Sequence, residues 1–498
     1  MAPTANTMAS GQKAAAQLES MFRPRGIAIA GASSDPTKPG HQVLNNLLEA
    51  GYAGHIAAIN PKAGSVLGVP SYPDLDSVPG PVEMLILAVP AKSTPDMVQA
   101  VQRRATQRKD LKVVVAIAGG FGETGLEEGK LLQEQLVDGC RKAGVRVVGP
   151  NCVGIIDNRH RVDTTFLTGV HRRAGGVTLL SQSGAMGAWM ALEWGAQPVP
   201  VGLNKFINLG NMADVDMTEV MEYLAKDPST KAVGLYVEGN PRARALLEAA
   251  ERVAERKPVV VLKVGRTDQG SDAAMSHTGA LAGADAIYDG AFRQYGLIRA
   301  LRVDDFIVTL QAFDKLPLPL GGRVSVLTNA GGPGVYTLDC LTDAGLSLGK
   351  FSHSTHAMLA ATLPAFASIG HPDGHVDMTG GVSPRQIAQA VASALRDPGI
   401  DAVIHLFIPT RFTSAEEMAK ELLALLPGLK RHSLDKPFFP VLLAGHGVEA
   451  ARRLLEENGV LTFGSPDQAA AALAAMVRFG VDRQPPAMDA AVDGGNVR

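Results

Sequence analysis

From Arg25 onward, short apolar runs alternate with stretches whose apolar positions recur at helical spacing, and glycine-rich turns join them. The first runs are Gly26 to Ala30, His55 to Asn60, Met84 to Val89, Val113 to Ile117 and Val145 to Val148, which predict a five-strand parallel sheet with intervening helices. A second series opens at Gly176 to Leu180 and continues through Val233 to Val237 and Val259 to Lys263. A third opens at Arg323 to Leu327, with later strands at Ala402 to Phe407 and Phe438 to Leu443. The openings Gly175-Gly-Val-Thr-Leu-Leu-Ser-Gln-Ser-Gly184 and Gly322-Arg-Val-Ser-Val-Leu-Thr-Asn-Ala-Gly331 both read as strand, small polar residues, glycine and helix, so internal repetition is expected. Prolines and glycines in Lys315 to Gly322 mark a linker, and another boundary is expected near Cys152.

A chain of 498 residues exceeds one hydrophobic core and divides into about three domains. Hydrophobic residues at 46%, charged residues at 19% and 54 glycines suit alternating strands and helices joined by tight turns. A formal net charge of -2 provides no global field for nucleic acid or a membrane surface, so an anionic ligand must be held by local groups. Three widely separated cysteines, Cys140, Cys152 and Cys340, argue against a disulfide framework and a closely spaced metal site. With no signal-like start and no long apolar run, the expectation is a soluble, cytoplasmic protein with tails at residues 1–20 and 481–498.

The first strand leads into Gly31-Ala-Ser-Ser-Asp-Pro-Thr-Lys-Pro-Gly40 before a helical stretch at Val43 to Leu48, which lets backbone amides at a helix start face an anion. This loop lacks the spaced glycines of dinucleotide enzymes, and Asn60-Pro61-Lys62 stands where a ribose-binding acid is expected. NAD is therefore disfavoured, while Lys38 and Lys62 suit the phosphates of a nucleotide such as coenzyme A. Gly119 to Gly125 and Gly149 to Gly154 follow later strands, at the carboxyl edge where ligands bind. Ser181-Gln-Ser-Gly184 lacks the glycine of a nucleophile elbow, so Ser181, Ser183 and Gly184 read as phosphoryl-binding donors or as ordinary helix capping. In Lys263 to Gly283 one histidine, His277, sits among small residues, with glycines at 265, 270, 279 and 283 that permit movement. Imidazole is a good nucleophile toward phosphorus at neutral pH, and Glu238 at the end of Leu-Tyr-Val-Glu can hold one ring nitrogen while the other attacks.

The motifs GASSDPTKPG, INPK, AGGFGETG, GPNCVG, SQSGAMG, INLGNMADVD, LYVEG, SHTGALAG and TNAGGPG stand in the order seen in ADP-forming acyl-CoA synthetases, and the chain resembles their alpha subunit over about Met21 to Gly480. The resemblance implies an α/β chain: a Rossmann-like CoA-binding domain at 21–152, a flavodoxin-like domain with a phosphohistidine loop at 153–318, and a second flavodoxin-like domain at 319–480. It implies His277 and Glu238 as the catalytic pair. Coenzyme A is then held by Gly31, Ser33, Ser34, Lys38, Asn60, Lys62, Val89, Pro90, Phe121, Glu123 and Asn151, and phosphate by Ser181, Ser183, Gly184, Gly331, Gly332 and Gly334, with no metal. ATP or ADP with Mg2+ is expected on an ATP-grasp beta subunit, in a heterotetramer with two of each chain.

Two features depart from the family pattern. Gly374-His375-Val376-Asp377 replaces the usual Asn-Pro-Val-Asp, and the chain stops where fused members continue into an ATP-grasp module. The competing readings are an NAD-dependent dehydrogenase with a duplicated Rossmann-like core and a non-catalytic CoA-binding regulatory protein.

Overall fold

The computed structural model describes residues 18–196, 202–272, 285–427 and 435–481. Its contacts divide the chain into one unit up to Leu310 and another from Gln311.

The first unit contains two sheets. The first is built from β1 (Gly26–Ala30), β2 (His55–Ile59), β3 (Ser65–Val66), β4 (Val69–Tyr72), β5 (Met84–Leu87), β6 (Val113–Ala116) and β7 (Arg146–Val148), in the order β3-β4-β2-β1-β5-β6-β7. The five expected strands are present and parallel. Helices on both faces bury every position of β1, which explains why it reads as a continuous apolar run. The sheet has seven strands rather than five because Leu67 and Gly68, both with positive φ, form a tight turn between β3 and β4. Strands this short carry too little pattern to be legible in the sequence.

The second sheet comprises β8 (Ile155–Asp157), β9 (Val162–Asp163), β10 (Val177–Ser181), β11 (Leu203–Asn208), β12 (Ala232–Val237), β13 (Val259–Lys263) and β14 (Ile298–Ala300), ordered β14-β13-β12-β10-β11-β8-β9. Of these, β8, β9, β11 and β14 were not expected. β11 escapes an apolar pattern because Asn204, Lys205 and Asn208 are fully buried polar residues. Lys205 Nζ lies 2.8 Å from Asp227 and 3.4 Å from Asp157, so its charge is compensated inside the fold. The two sheets share one apolar core, running from Ile29 and Val115 through Cys152 and Ile155 to Leu209 and Val220. Arg146 of β7 reinforces the seam with ion pairs of 2.8 Å to both Asp214 and Glu219.

The second unit has one sheet of six described strands, β15 (Arg323–Thr328), β16 (Ser347–Leu348), β17 (Ser368–Ile369), β18 (His375–Asp377), β19 (Ala402–Phe407) and β20 (Phe438–Leu442). The order is β17-β18-β15-β19-β20, with β16 beside β15. No described helix is long and apolar enough to cross a membrane.

Candidate functional site

The carboxyl ends of the first sheet carry the loops expected to bind coenzyme A. Gly31 follows β1 at φ +89°, and a Cβ there would stand 2.5 Å from the Ala88 carbonyl. A Cβ on Gly40 would stand 2.1 Å from the Gly31 carbonyl, so both glycines are needed to bring the helix Pro39–Ala50 against the strand end. That helix starts beside Lys38, with no acid in its first turn, and Ser34 and Lys38 are exposed. The helix dipole and the Lys38 ammonium make its start electropositive, although the His41 and Gln42 amides already bond the Lys38 carbonyl. Ser33 Oγ accepts from the Asp35 amide at 3.1 Å and so shapes the loop.

Asn60 joins this loop to the next. Its Nδ2 donates to the Ala32 carbonyl at 2.8 Å, and its Oδ1 accepts from the Lys62 amide at 2.9 Å. An acid here would lose the donor to Ala32, which is a structural reason for the asparagine. Val89, Pro90 and Phe121 line one small apolar hollow with Leu87, Ala116 and Ala118.

An open cleft of about 990 Å³ lies within the first unit. Of the expected site residues it brings together Glu123, Asn151, Ser183, Gly184 and Glu238. It does not include Gly31, Ser33, Ser34, Lys38, Asn60 or Lys62, and buried Ser181 contributes no lining surface. Glu123 Oε1 accepts from the amides of Gly120 and Phe121 at 2.6 and 3.1 Å, and Oε2 accepts from Asn211 at 2.6 Å. Partial burial pushes its carboxyl pKa up, but these hydrogen bonds outweigh that and hold it below the usual value. Asn211 also accepts from Asn151 at 3.3 Å and donates to Gln133 at 2.9 Å, which ties the first sheet's loops to the second's.

At the helix Gly184–Gly195, Ser183 is the N-cap and accepts from the Met186 amide at 3.4 Å. Ser181 Oγ donates to the Ser183 carbonyl at 2.7 Å, which commits that hydroxyl to the turn. Asn208, at the end of β11, clamps the same turn. Its Oδ1 accepts from the Val153 amide at 2.7 Å, and its Nδ2 donates to the carbonyls of Ser181 and Gln182 at 3.0 and 3.3 Å.

Glu238 follows β12 on the other side of β10 and is 8% exposed. Tyr236 donates its hydroxyl to Glu238 Oε1 at 3.2 Å. Burial, then the neighbouring Glu238 carboxylate, raise the Tyr236 phenol's pKa, so it remains a donor. Gln182 Oε1 accepts from the amides of Glu238 and Gly239 at 2.9 and 3.2 Å. At the cleft rim Asp216 caps the helix Met217–Lys226 and pairs with Arg242. His277 lies outside the described residues.

Gln182, Asn208, Asn211 and Tyr236 were not singled out as site residues from the sequence. Gln182, Asn208 and Asn211 stand within the SQSGAMG and INLGNMADVD motifs. The usable signal is a carboxamide at or just after the end of an apolar strand, where backbone groups of neighbouring loops need partners.

The remaining expected glycines lie in the second unit, at the start of the helix Gly331–Asp343. Its N-cap is Ala330, without a side-chain cap. Thr328 Oγ1 donates to the Ala330 carbonyl at 2.7 Å and accepts from the Ala330 amide at 2.9 Å. Asn329 donates to the Ile408 carbonyl at 2.7 Å and accepts from the Ile408 amide at 2.9 Å. A Cβ on Gly331 would lie 3.1 Å from Asp377 Oδ2, and one on Gly334 would lie 3.0 Å from His375 Nε2, while Gly332 has open space.

Three family descriptions match consecutive parts of the chain: a CoA binding domain at residues 25–158, a succinyl-CoA ligase like flavodoxin domain at 174–313, and a ligase-CoA domain at 324–483. The ADP-forming acetate–CoA ligase II subunit alpha of Pyrococcus furiosus is 38% identical over 461 residues, covering 93% of this chain and 97% of that protein. The ADP-forming acetate–CoA ligase I subunit alpha of the same organism is 34% identical over 471 residues, with the same coverage. Among solved structures, dinucleotide forming acetyl-coenzyme A synthetase 1 of Ca. Korarchaeum cryptofilum, in complex with phosphate and ADP, superimposes with a TM-score of 0.85 at 33% identity. That match covers 94% of this chain and 97% of the other.

Proposed function

We propose that this chain, which belongs to the family of ADP-forming acyl-CoA ligase alpha subunits, is the CoA-binding subunit of an acid–thiol ligase that carries a phosphoryl group on His277. The overall reaction is acid + CoA + ATP to acyl-CoA + ADP + phosphate, and it is reversible. The observation that carries this reading is the cleft in which Glu123 and Asn151 face the Ser183–Gly184 helix start and Glu238.

The chemistry runs in three balanced steps. An imidazole nitrogen of His277 takes the terminal phosphoryl group of ATP and ADP leaves. A carboxylate oxygen of the acid then takes that phosphoryl group, forming an acyl phosphate and restoring the imidazole. The CoA thiol, giving up its proton, attacks the acyl carbon, and phosphate leaves with the bonding electrons.

In this reading Glu238, held by Tyr236 and by the loop that Gln182 fixes, accepts the proton on the far ring nitrogen of His277 and stabilises the cationic imidazole of the phosphorylated form. The amides at Ser183 and Gly184 compensate the phosphate's charge. The loops bearing Gly31, Ser33, Ser34, Lys38, Asn60 and Lys62 hold the nucleotide end of CoA, Val89, Pro90 and Phe121 its apolar part, and Glu123 and Asn151 the approach to the cleft. Gly331, Gly332 and Gly334 form a second helix start assigned to phosphate, the weaker of the two because the Asp377 carboxylate stands beside Gly331.

Relatives covered almost end to end are named ligase alpha subunits, which supports a separate beta subunit and leaves the dehydrogenase and non-catalytic readings without support. We assign ATP or ADP and Mg2+ to that partner, as an ATP-grasp protein, in a heterotetramer with two of each chain. The test combines the chain with its partner and labelled ATP, and looks for acid-labile, base-stable label on the peptide containing His277. His277→Asn should abolish turnover while leaving CoA binding intact. A label elsewhere, full turnover by His277→Asn, or robust turnover by the pure single chain overturns the corresponding part of the reading.

A further inference from the structure

Gln182 is held on every side but one. Its amide donates to the Tyr236 carbonyl at 3.3 Å, and its carbonyl accepts from Asn208 at 3.3 Å. Its side-chain oxygen accepts from two backbone amides, Glu238 at 2.9 Å and Gly239 at 3.2 Å. Those two donors settle the orientation of the carboxamide, because turning it over would set an NH2 group against two N–H groups. The nitrogen is therefore directed away from the β12 end. Nε2 donates to no group among the described residues, although Gln182 is only 9% exposed. The residue lines the cleft together with Ser183, Gly184 and Glu238. An NH2 group fixed by its own oxygen, on a side chain that is otherwise buried, and opening on the cleft with unused protons is a donor set in advance for an acceptor that enters there.

We propose that Gln182 Nε2 is a further hydrogen-bond donor to the phosphoryl oxygens held at the Ser183–Gly184 helix start. This rests on the function proposed above and adds a residue to its phosphate site. Backbone amides at a helix start approach a phosphate from one side. Gln182 adds a donor from the direction of β12, where Glu238 would otherwise present only negative charge. The donor thus separates the incoming phosphate from the carboxylate. Gln182 performs both tasks with one amide: its oxygen positions the Glu238 backbone and its nitrogen binds the anion.

Two substitutions separate those tasks. Gln182→Glu keeps an oxygen for the amides of Glu238 and Gly239 but replaces the donor with an acceptor. Gln182→Met is neutral, of similar length, and removes donor and acceptor together. The experiment is equilibrium dialysis of labelled inorganic phosphate, and separately of CoA, against the full complex of the chain with its partner. A charge-assisted hydrogen bond of this kind predicts phosphate affinity about 10- to 100-fold weaker in both variants, with CoA affinity within about twofold of wild type, the span of a structurally neutral change. Gln182→Glu binding phosphate like wild type assigns Gln182 to holding the loop alone and overturns the proposal. Loss confined to Gln182→Glu points to repulsion by the new charge and overturns it equally, as does a wild type that binds no phosphate. A wild type that binds phosphate but takes no label on His277 sinks the functional reading and leaves this donor standing.

Discussion

The helix starts at Gly184 and Gly331 look alike in sequence and share a local plan, yet their charges are arranged differently. In each, a central parallel strand, β10 or β15, feeds a glycine-led helix. A carboxamide one residue past the strand, Gln182 or Asn329, reaches the backbone beyond the neighbouring strand, β12 or β19. The last residue of the strand on the other side, Asn208 of β11 or Asp377 of β18, stands beside the leading glycine.

The differences decide what each start can hold. Around Gly184 the neighbour is a neutral amide and the carboxylate, Glu238, stands across the turn on the β12 side. Around Gly331 the carboxylate is Asp377 itself, against the first helical residue, and Ile408 occupies the position that matches Glu238. Asn329 spends both its oxygen and its nitrogen on Ile408, whereas Gln182 spends only its oxygen. The two starts share a backbone scaffold, and individual side chains at strand ends set its electrostatics.

The largest expected effect is at Glu238. Glu238→Gln should slow phosphorylation of His277 about 100-fold or more, the scale of losing an orienting carboxylate, without unfolding the chain. Asp377→Asn should have a much smaller effect on that step. Rapid-quench labelling of both variants measures this, and equal losses would break the comparison.

Next is Asn208→Asp, which copies the Gly331 arrangement onto the Gly184 start. It keeps the acceptor for Val153 but removes two donors and adds a charge beside the helix start. The Michaelis constant for phosphate, in the direction that consumes acyl-CoA, should rise about tenfold or more, consistent with losing charge-assisted binding. An unchanged constant would mean that the neutral clamp is not what suits this start to an anion.

A third effect concerns the strands beside each start. The fourth position is Leu235 in β12 and His405 in β19. His405 is fully buried against Phe438, and burial pushes its pKa from 6.5 down to about 3. The unfolded chain takes up this proton below about pH 6.5, but the folded chain does so only near 3. The contribution is fully present above pH 6.5 and is lost as pH falls toward 3. The second unit should lose about 1.4 kcal/mol of stability per pH unit across that window from this one residue. His405→Leu should flatten that part of the curve in urea titrations.

The smallest effect is at Gly332, where a Cβ would meet nothing within 4 Å. Gly332→Ala should stabilise the second unit by about 0.5–1 kcal/mol through helix propensity and a stiffer unfolded chain. Gly31→Ala, at φ +89° and against the Ala88 carbonyl, should destabilise. Thermal melts of the two variants read the contrast.

The sequence by itself determined the α/β class, the five core strands of the first sheet, the central strands β10 and β15 of the other two sheets and the motifs that mark the family. These are local: continuous apolar runs mean strands buried on two faces, and glycines mark turns that no other residue fits. Only the tertiary structure decided that β11 is a strand, because Lys205 reads as exposed until Asp157 and Asp227 are found around it. It likewise decided that Ser181 spends its hydroxyl on the turn, that Asn60 ties two loops, and that Gln182 holds Glu238 while keeping a donor spare. Residues such as Gln182 and Glu238 are far apart along the chain and meet because parallel strands align their carboxyl ends, so their partnership follows from strand order, which periodicity does not encode.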